Sequence, residues 1–198
     1  MPPFAHWLTW LLSTGLVACV PIQPPTPPSS PAGSATITVP TDGLAGPSID
    51  PSLVGASSGH DPLLPTLGNG GYDVQTYDVD VVTNPVDNQT TLRVVIEAIA
   101  TQRLGRFSLD YSGIIPGTVT IDAVTAAFTE SDGKLTVTSP RIIDSGGAFR
   151  TEIHITGRPV PFHGDGWVWR GAEQLSAYGI YDVIPTWLPT NADPADKA

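Results

Sequence analysis

Phe149-Arg150-Thr151-Glu152-Ile153-His154-Ile155-Thr156 is the stretch on which the fold class turns. Successive side chains of an extended chain point to opposite sides, so this string puts Phe149, Thr151, Ile153 and Ile155 on one face. Arg150, Glu152, His154 and Thr156 fall on the other, which is the pattern of a half-buried strand. Moving outward, Tyr77, Val79 and Val81 alternate with Asp78 and Asp80. Leu92, Val94, Ile96, Ala98 and Ala100 line one face of a longer run, and Val95 and Ile99 on its other face predict cover from both sides. Phe107, Leu109 and Tyr111, then Val119 and Ile121, then Leu135 and Val137, repeat the pattern over shorter spans. Asn84-Pro85, Asp87-Asn88, Pro116-Gly117, Asp132-Gly133 and Ser145-Gly146-Gly147 separate these runs as turns, with Asp132-Gly133 the best hairpin signal. Only Gly171 to Tyr178 has room for two helical turns. Residues 61 to 198 therefore read as an all-β domain, an antiparallel β-sandwich or saddle-shaped sheet.

Upstream the character changes. Phe4 to Ala18 is apolar but shorter than the ~20 residues a permanent membrane helix needs. It ends in Leu16-Val17-Ala18-Cys19, which resembles a bacterial lipoprotein processing box, and Cys19 is the sole cysteine of the 198 residues. No Lys or Arg precedes the apolar run, a departure from the usual positive start. The reading is a signal peptide over 1–19 with Cys19 as the lipidation site. Residues 20–60, rich in Pro, Ser and Gly, read as a disordered tether, because such a chain lacks the large apolar side chains that offset ordering entropy. These features predict an exported lipoprotein, anchored to a membrane at the cell surface or in the periplasm of a bacterium. A formal net charge of −10 argues against nucleic acid as a partner.

Catalytic patterns are missing. There is no H-E-x-x-H to aim two imidazoles at zinc, no G-x-S-x-G, and no Cys–His pair. His6 and His60 fall in the signal and the tether, His154 on a polar strand face, and His163 with Asp165 offers only two possible ligands. Gly68-Asn69-Gly70-Gly71 lacks phosphate-loop spacing and reads as the lead-in to a strand. No catalytic, cofactor-binding or metal-binding residue is therefore assigned. Trp167 and Trp169 share one side of a strand, a spacing that suits a core and equally suits stacking on a sugar. A free-standing lipoprotein β-sandwich that binds a surface ligand, glycan or protein partner is one reading these residues allow.

Three strings point elsewhere. Gly68-Asn69-Gly70-Gly71-Tyr72-Asp73-Val74-Gln75-Thr76-Tyr77-Asp78-Val79-Asp80-Val81 resembles the opening strand of the aminopeptidase N family of zinc metallopeptidases, and Leu104-x-x-Phe107-x-Leu109-Asp110 is similar to the segment that follows there. At the far end Trp187-Leu188-Pro189-Thr190-Asn191-Ala192-Asp193-Pro194-Ala195-Asp196-Lys197-Ala198 is similar to the family's W-F-P-x-N-D-H-P-x-D-K-A. The resemblance spans residues 61–198 and implies a non-catalytic N-terminal β-domain. It would pack on a thermolysin-like catalytic domain that carries the zinc, the general base and the oxyanion-stabilising tyrosine. The chain would then be a fragment of a secreted zinc aminopeptidase acting on peptides, with no cofactor of its own. Two departures stand out. Ala192 replaces the family's Asp, with Asp193 one position on. Ile180 falls where an acidic or amide residue would hold the substrate's α-amino group, which leaves Asp182 and Gln174 as the candidates for that contact.

Overall fold

In a computed structural model, residues 49–161, 163–171, 174–180 and 182–194 are described. The signal segment, Cys19 and most of the tether lie outside them. The described chain is all-β. Ten strands follow in order: β1 (Tyr72–Asn84), β2 (Gln89–Ala100), β3 (Leu104–Asp110), β4 (Thr118–Ile121), β5 (Val124–Thr125), β6 (Ala127–Ser131), β7 (Lys134–Ile143), β8 (Ala148–Gly157), β9 (Trp167–Trp169) and β10 (Leu175–Ala177). They form a five-stranded sheet in the order β1-β2-β8-β4-β5, a three-stranded sheet β3-β7-β6 and a two-stranded ribbon β10-β9. Each of these strand pairs is antiparallel. Among the described residues no helix is long and apolar enough to cross a membrane.

One core joins the two larger sheets. Leu92, Val94, Ile96, Val119, Ile153 and Ile155 of the five-stranded sheet bury against Phe107, Leu109, Leu135 and Val137 of the three-stranded one. Phe107 links them with its ring 5.3 Å from that of Tyr72 and 5.4 Å from that of Phe149, spacings at which edge-on aromatic contacts are favourable. In β8 every second residue from Phe149 to Ile155 is buried, as the alternation required. Asp132 and Gly133 form the two-residue turn between β6 and β7 with φ of 53° and 74°. Positive φ at both positions is the requirement that makes Asp-Gly a hairpin signal.

Four details depart from the sequence reading. First, residues 49–60 are packed on the domain. A short 3-10 turn at Pro51–Leu53 is capped by the Asp50 carboxylate, Val54 bridges Arg106 of β3, and the Gly55 N–H donates to the Arg106 carbonyl at 2.9 Å. Gly55 lies so close that a Cβ there would run into the Gly70 carbonyl oxygen, so small residues that look like linker composition permit close docking. Second, a bulge between Val74 and Thr76 shifts the phase of β1. Tyr72 and Val74 are buried and Tyr77 and Val79 half-buried, while Val81 is exposed. Third, β2 is covered only in part on its outer side: Val95 is buried, but Ile99 is 37 % exposed. Fourth, Gly171 to Tyr178, the stretch with room for two helical turns, contains the strand β10, paired with β9 from Leu175–Trp169 to Ala177–Trp167. Cross-strand pairing there supplies hydrogen bonds that a short isolated helix could not sustain.

Candidate functional site

The most elaborate polar arrangement lies at the end of β3, where an acidic side chain closes an otherwise apolar strand. Asp110 is fully buried. Its Oδ1 accepts from Lys134 Nζ at 2.5 Å, and its Oδ2 accepts from Gly68 N at 3.0 Å, Asn69 Nδ2 at 2.9 Å and Ala192 N at 2.9 Å. Asn191 Oδ1 accepts from Asn69 N at 2.8 Å, and Lys134 Nζ also donates to the Gly68 carbonyl and Asn69 Oδ1, each at 3.1 Å. The backbones of Asp110 and Thr190 exchange hydrogen bonds of 2.7 and 3.1 Å, and Asn191 N donates to the Tyr77 hydroxyl at 2.8 Å. Three N–H donors on Oδ2 and one on Oδ1 thus engage both carboxylate oxygens. The knot is a clamp: it fixes where residues 190–192 run.

Each of the three family-like strings contributes to it: Gly68 and Asn69 from the first, Asp110 from the second, Thr190 to Ala192 from the last. None of these residues stood out as functional in the sequence, where Gly68-Asn69-Gly70-Gly71 was only a lead-in to a strand. It is that, since β1 begins at Tyr72, and it also supplies two donors to Asp110. The legible signal was a lone charge inside Phe107-Ser108-Leu109-Asp110-Tyr111.

Beside the knot opens a cleft of about 390 Å³ lined by Gly179, Ile180, Ile184, Asn191, Asp193 and Pro194 among others. Ile180 is 59 % exposed, which gives the cleft an apolar, solvent-facing edge. Neither candidate for the α-amino contact lines it. Asp182 is exposed just before the 3-10 turn Ile184–Thr186, and Gln174 is exposed before β10 with its carbonyl accepting from Arg170 N at 2.7 Å. His154 is exposed, 2.9 Å from Glu152 Oε1, and His163 is exposed in its Gly-rich loop. Trp167 is buried with its ring 5.4 Å from that of Trp187, and Trp169 is half-buried.

Tyr111 and Glu152 have the largest pKa displacements among the described residues. Tyr111 is raised, mainly by burial and further by the nearby Glu130 charge, and remains a neutral donor to the Ile114 carbonyl at 2.6 Å. Glu152 is held down to about 2 by the Arg93 guanidinium first and His154 next, against a smaller opposing effect of burial. Among the described residues no three His, Cys, Asp or Glu side chains gather as a metal site would need.

No family model and no curated protein matches the sequence. Solved structures do. The chain is similar to an M1 zinc metallopeptidase from Deinococcus radiodurans and to a mutant M1 enzyme from that organism bound to a Tyr-Ser-Ala substrate, each at 26% identity and a TM-score of 0.61. A two-domain M1 zinc metallopeptidase mutant bound to L-arginine matches equally well. In each case the match covers 70% of this chain and 33% of the other, so the chain spans about a third of the length of these enzymes. The β-fold, over 70% of the chain, is similar to part of these M1 zinc metallopeptidase structures. The likeness supports an N-terminal β-domain of the M1 aminopeptidase type.

Proposed function

We propose that this chain is the non-catalytic N-terminal domain of an exported zinc aminopeptidase, packing on the catalytic domain and forming one wall of its peptide cleft. The observation that carries the proposal is the Asp110 clamp. It ties residues 190–192 to the body of the domain, so that a catalytic domain joined beyond them would start from a defined point beside the Ile180 and Ile184 edge. An exposed apolar edge next to a fixed exit is what a second domain needs for burial. Zinc would sit in the catalytic domain and supply an activated water. This chain's own residues contribute shape, and Asp182 or Gln174 would contact the substrate's α-amino group if the loop carrying them closes over the cleft. Cys19 would carry the lipid and residues 20–48 the reach from the membrane. Trp167 is buried against Trp187 and does not offer its face to a sugar.

The coding frame downstream of codon 198 tests the central claim. An in-frame H-E-x-x-H with a later glutamate ligand is the expected result, and a stop codon directly after Ala198 would overturn it in favour of a free-standing module. The anchor has its own test. Expressed in a bacterium fed an alkyne fatty acid, the chain should take up label and fractionate with membranes, and Cys19→Ser should abolish both. Equal labelling of the two would remove the lipid anchor from the proposal.

A further inference from the structure

The three-stranded sheet turns one face away from the core. The register aligns Arg106 with Thr138 and Ala127, and Ser108 with Thr136 and Thr129, across β3, β7 and β6. Phe107 and Val137 point the other way, into the core. A concavity of about 200 Å³ on the outward face is lined by Arg106, Ala127, Phe128, Thr129, Thr136 and Thr138. Drug-sized ligands take sites of about 300–1,000 Å³, so this one has room for a single small group.

Its charge is unbalanced. Arg93, Arg103, Lys134, Arg141 and Arg150 each face a carboxylate at ion-pair distance. Arg158 and Arg170 are exposed to water. Arg106 is half-buried, and among the described residues its guanidinium meets only the Thr138 hydroxyl, to which Nε donates at 3.3 Å. A cation partly stripped of water without a counter-charge is costly. No Asp or Glu lines the concavity, and the nearest acid along the same face, Asp110, is committed to Lys134. The hydroxyls of Thr129, Thr136 and Thr138 can each donate or accept. Thr138 Oγ1 accepts from Arg106 Nε, and Thr136 shares a 3.1 Å hydrogen bond with Ser108 in which either oxygen can be the donor.

We propose that this face binds a small oxyanion, a phosphate or a carboxylate, between the terminal nitrogens of Arg106 and the hydroxyls of Thr129, Thr136 and Thr138. A guanidinium matches both anions through paired N–H donors. The site goes beyond the aminopeptidase reading and does not depend on it, because it is built wholly from this chain.

The test is an NMR titration of the ¹⁵N-labelled full chain with inorganic phosphate and, separately, with N-acetyl-glutamate, at constant ionic strength. Saturable shifts are expected at the Arg106 Nε–H and the amides of Thr129, Thr136 and Thr138. A response to phosphate alone would assign a phosphoryl group and a response to the carboxylate alone an acidic peptide group; either supports the site. Arg106→Met should weaken binding by about tenfold or more, the usual value of a charge-assisted contact. Should that variant fail to fold, Thr129→Val with Thr136→Val keeps the guanidinium and should weaken binding about threefold. No saturable shift with either anion, or equal affinity in wild type and variants, would overturn the proposal.

Discussion

Two clusters of charge in this molecule use the same chemistry in opposite surroundings. On the outer face of the five-stranded sheet, Arg93 bridges Asp80 and Glu152 at 2.9 Å each, while Arg150 and His154 also reach Glu152. The side chains there remain partly in water, with Asp80 65 % exposed. At the end of β3, Asp110 and Lys134 are 0 % and 13 % exposed. Exposed pairs exchange hydration for a screened attraction and contribute little. A buried pair has already lost its hydration, so removing one partner leaves the other stranded. The first cluster decorates a sheet that its core would hold together in any case, whereas the second supplies the contacts that hold the C-terminal segment in place.

That contrast can be broken experimentally. Asp110→Ala should have the largest effect, destabilising the domain by about 3–5 kcal/mol, the range for stranding one member of a buried pair. Chemical denaturation measures the loss, and hydrogen exchange should rise first at Ala192, whose amide loses its acceptor. A loss no larger than that of an outer-face variant would show the clamp to be dispensable. Lys134→Met should come next, because a flexible apolar side chain fills the space while the Asp110 carboxylate keeps its three N–H donors from Gly68, Asn69 and Ala192.

Acid sharpens the comparison from the other side. Glu152 has a folded pKa of about 2 against an ordinary value of 4.5. A lowered carboxyl pKa contributes stability above the unfolded value and loses it as the group is protonated. The contribution of the outer network should therefore be intact above about pH 4.5 and vanish as the pH falls toward 2. Glu152→Gln should flatten the unfolding midpoint over that window, and an unchanged acid profile would exclude the network as its source. The smallest effect is expected for Arg93→Ala at neutral pH, a minor drop in midpoint that shrinks further at high salt. Salt should leave the Asp110→Ala penalty nearly unchanged, since ions do not reach that carboxylate.

Much of the fold was legible in advance. The alternation in β8, the turn at Asp132-Gly133 and the family-like strings all led to the architecture found. The bulge in β1 was not legible, because one inserted residue changes which side chains face inward without altering composition. Nor was the docking of residues 49–60, where Gly and Ala serve close backbone approach and look in sequence like linker. The candidate site was the least legible part. Its motifs were visible, but their meeting was not.

The sequence by itself determined which side of each strand is apolar, where the chain turns and to which family it is similar. These depend on residues within a few positions of one another, where backbone geometry sets direction. Tertiary structure alone decided that Asn69, Asp110 and Asn191 share one buried knot. Asn69 and Asn191 lie 122 positions apart and Asn69 and Asp110 lie 41 apart, so no local pattern encodes the contact. Only the packing of two sheets brings their polar ends together, and only the exclusion of water there makes each hydrogen bond obligatory.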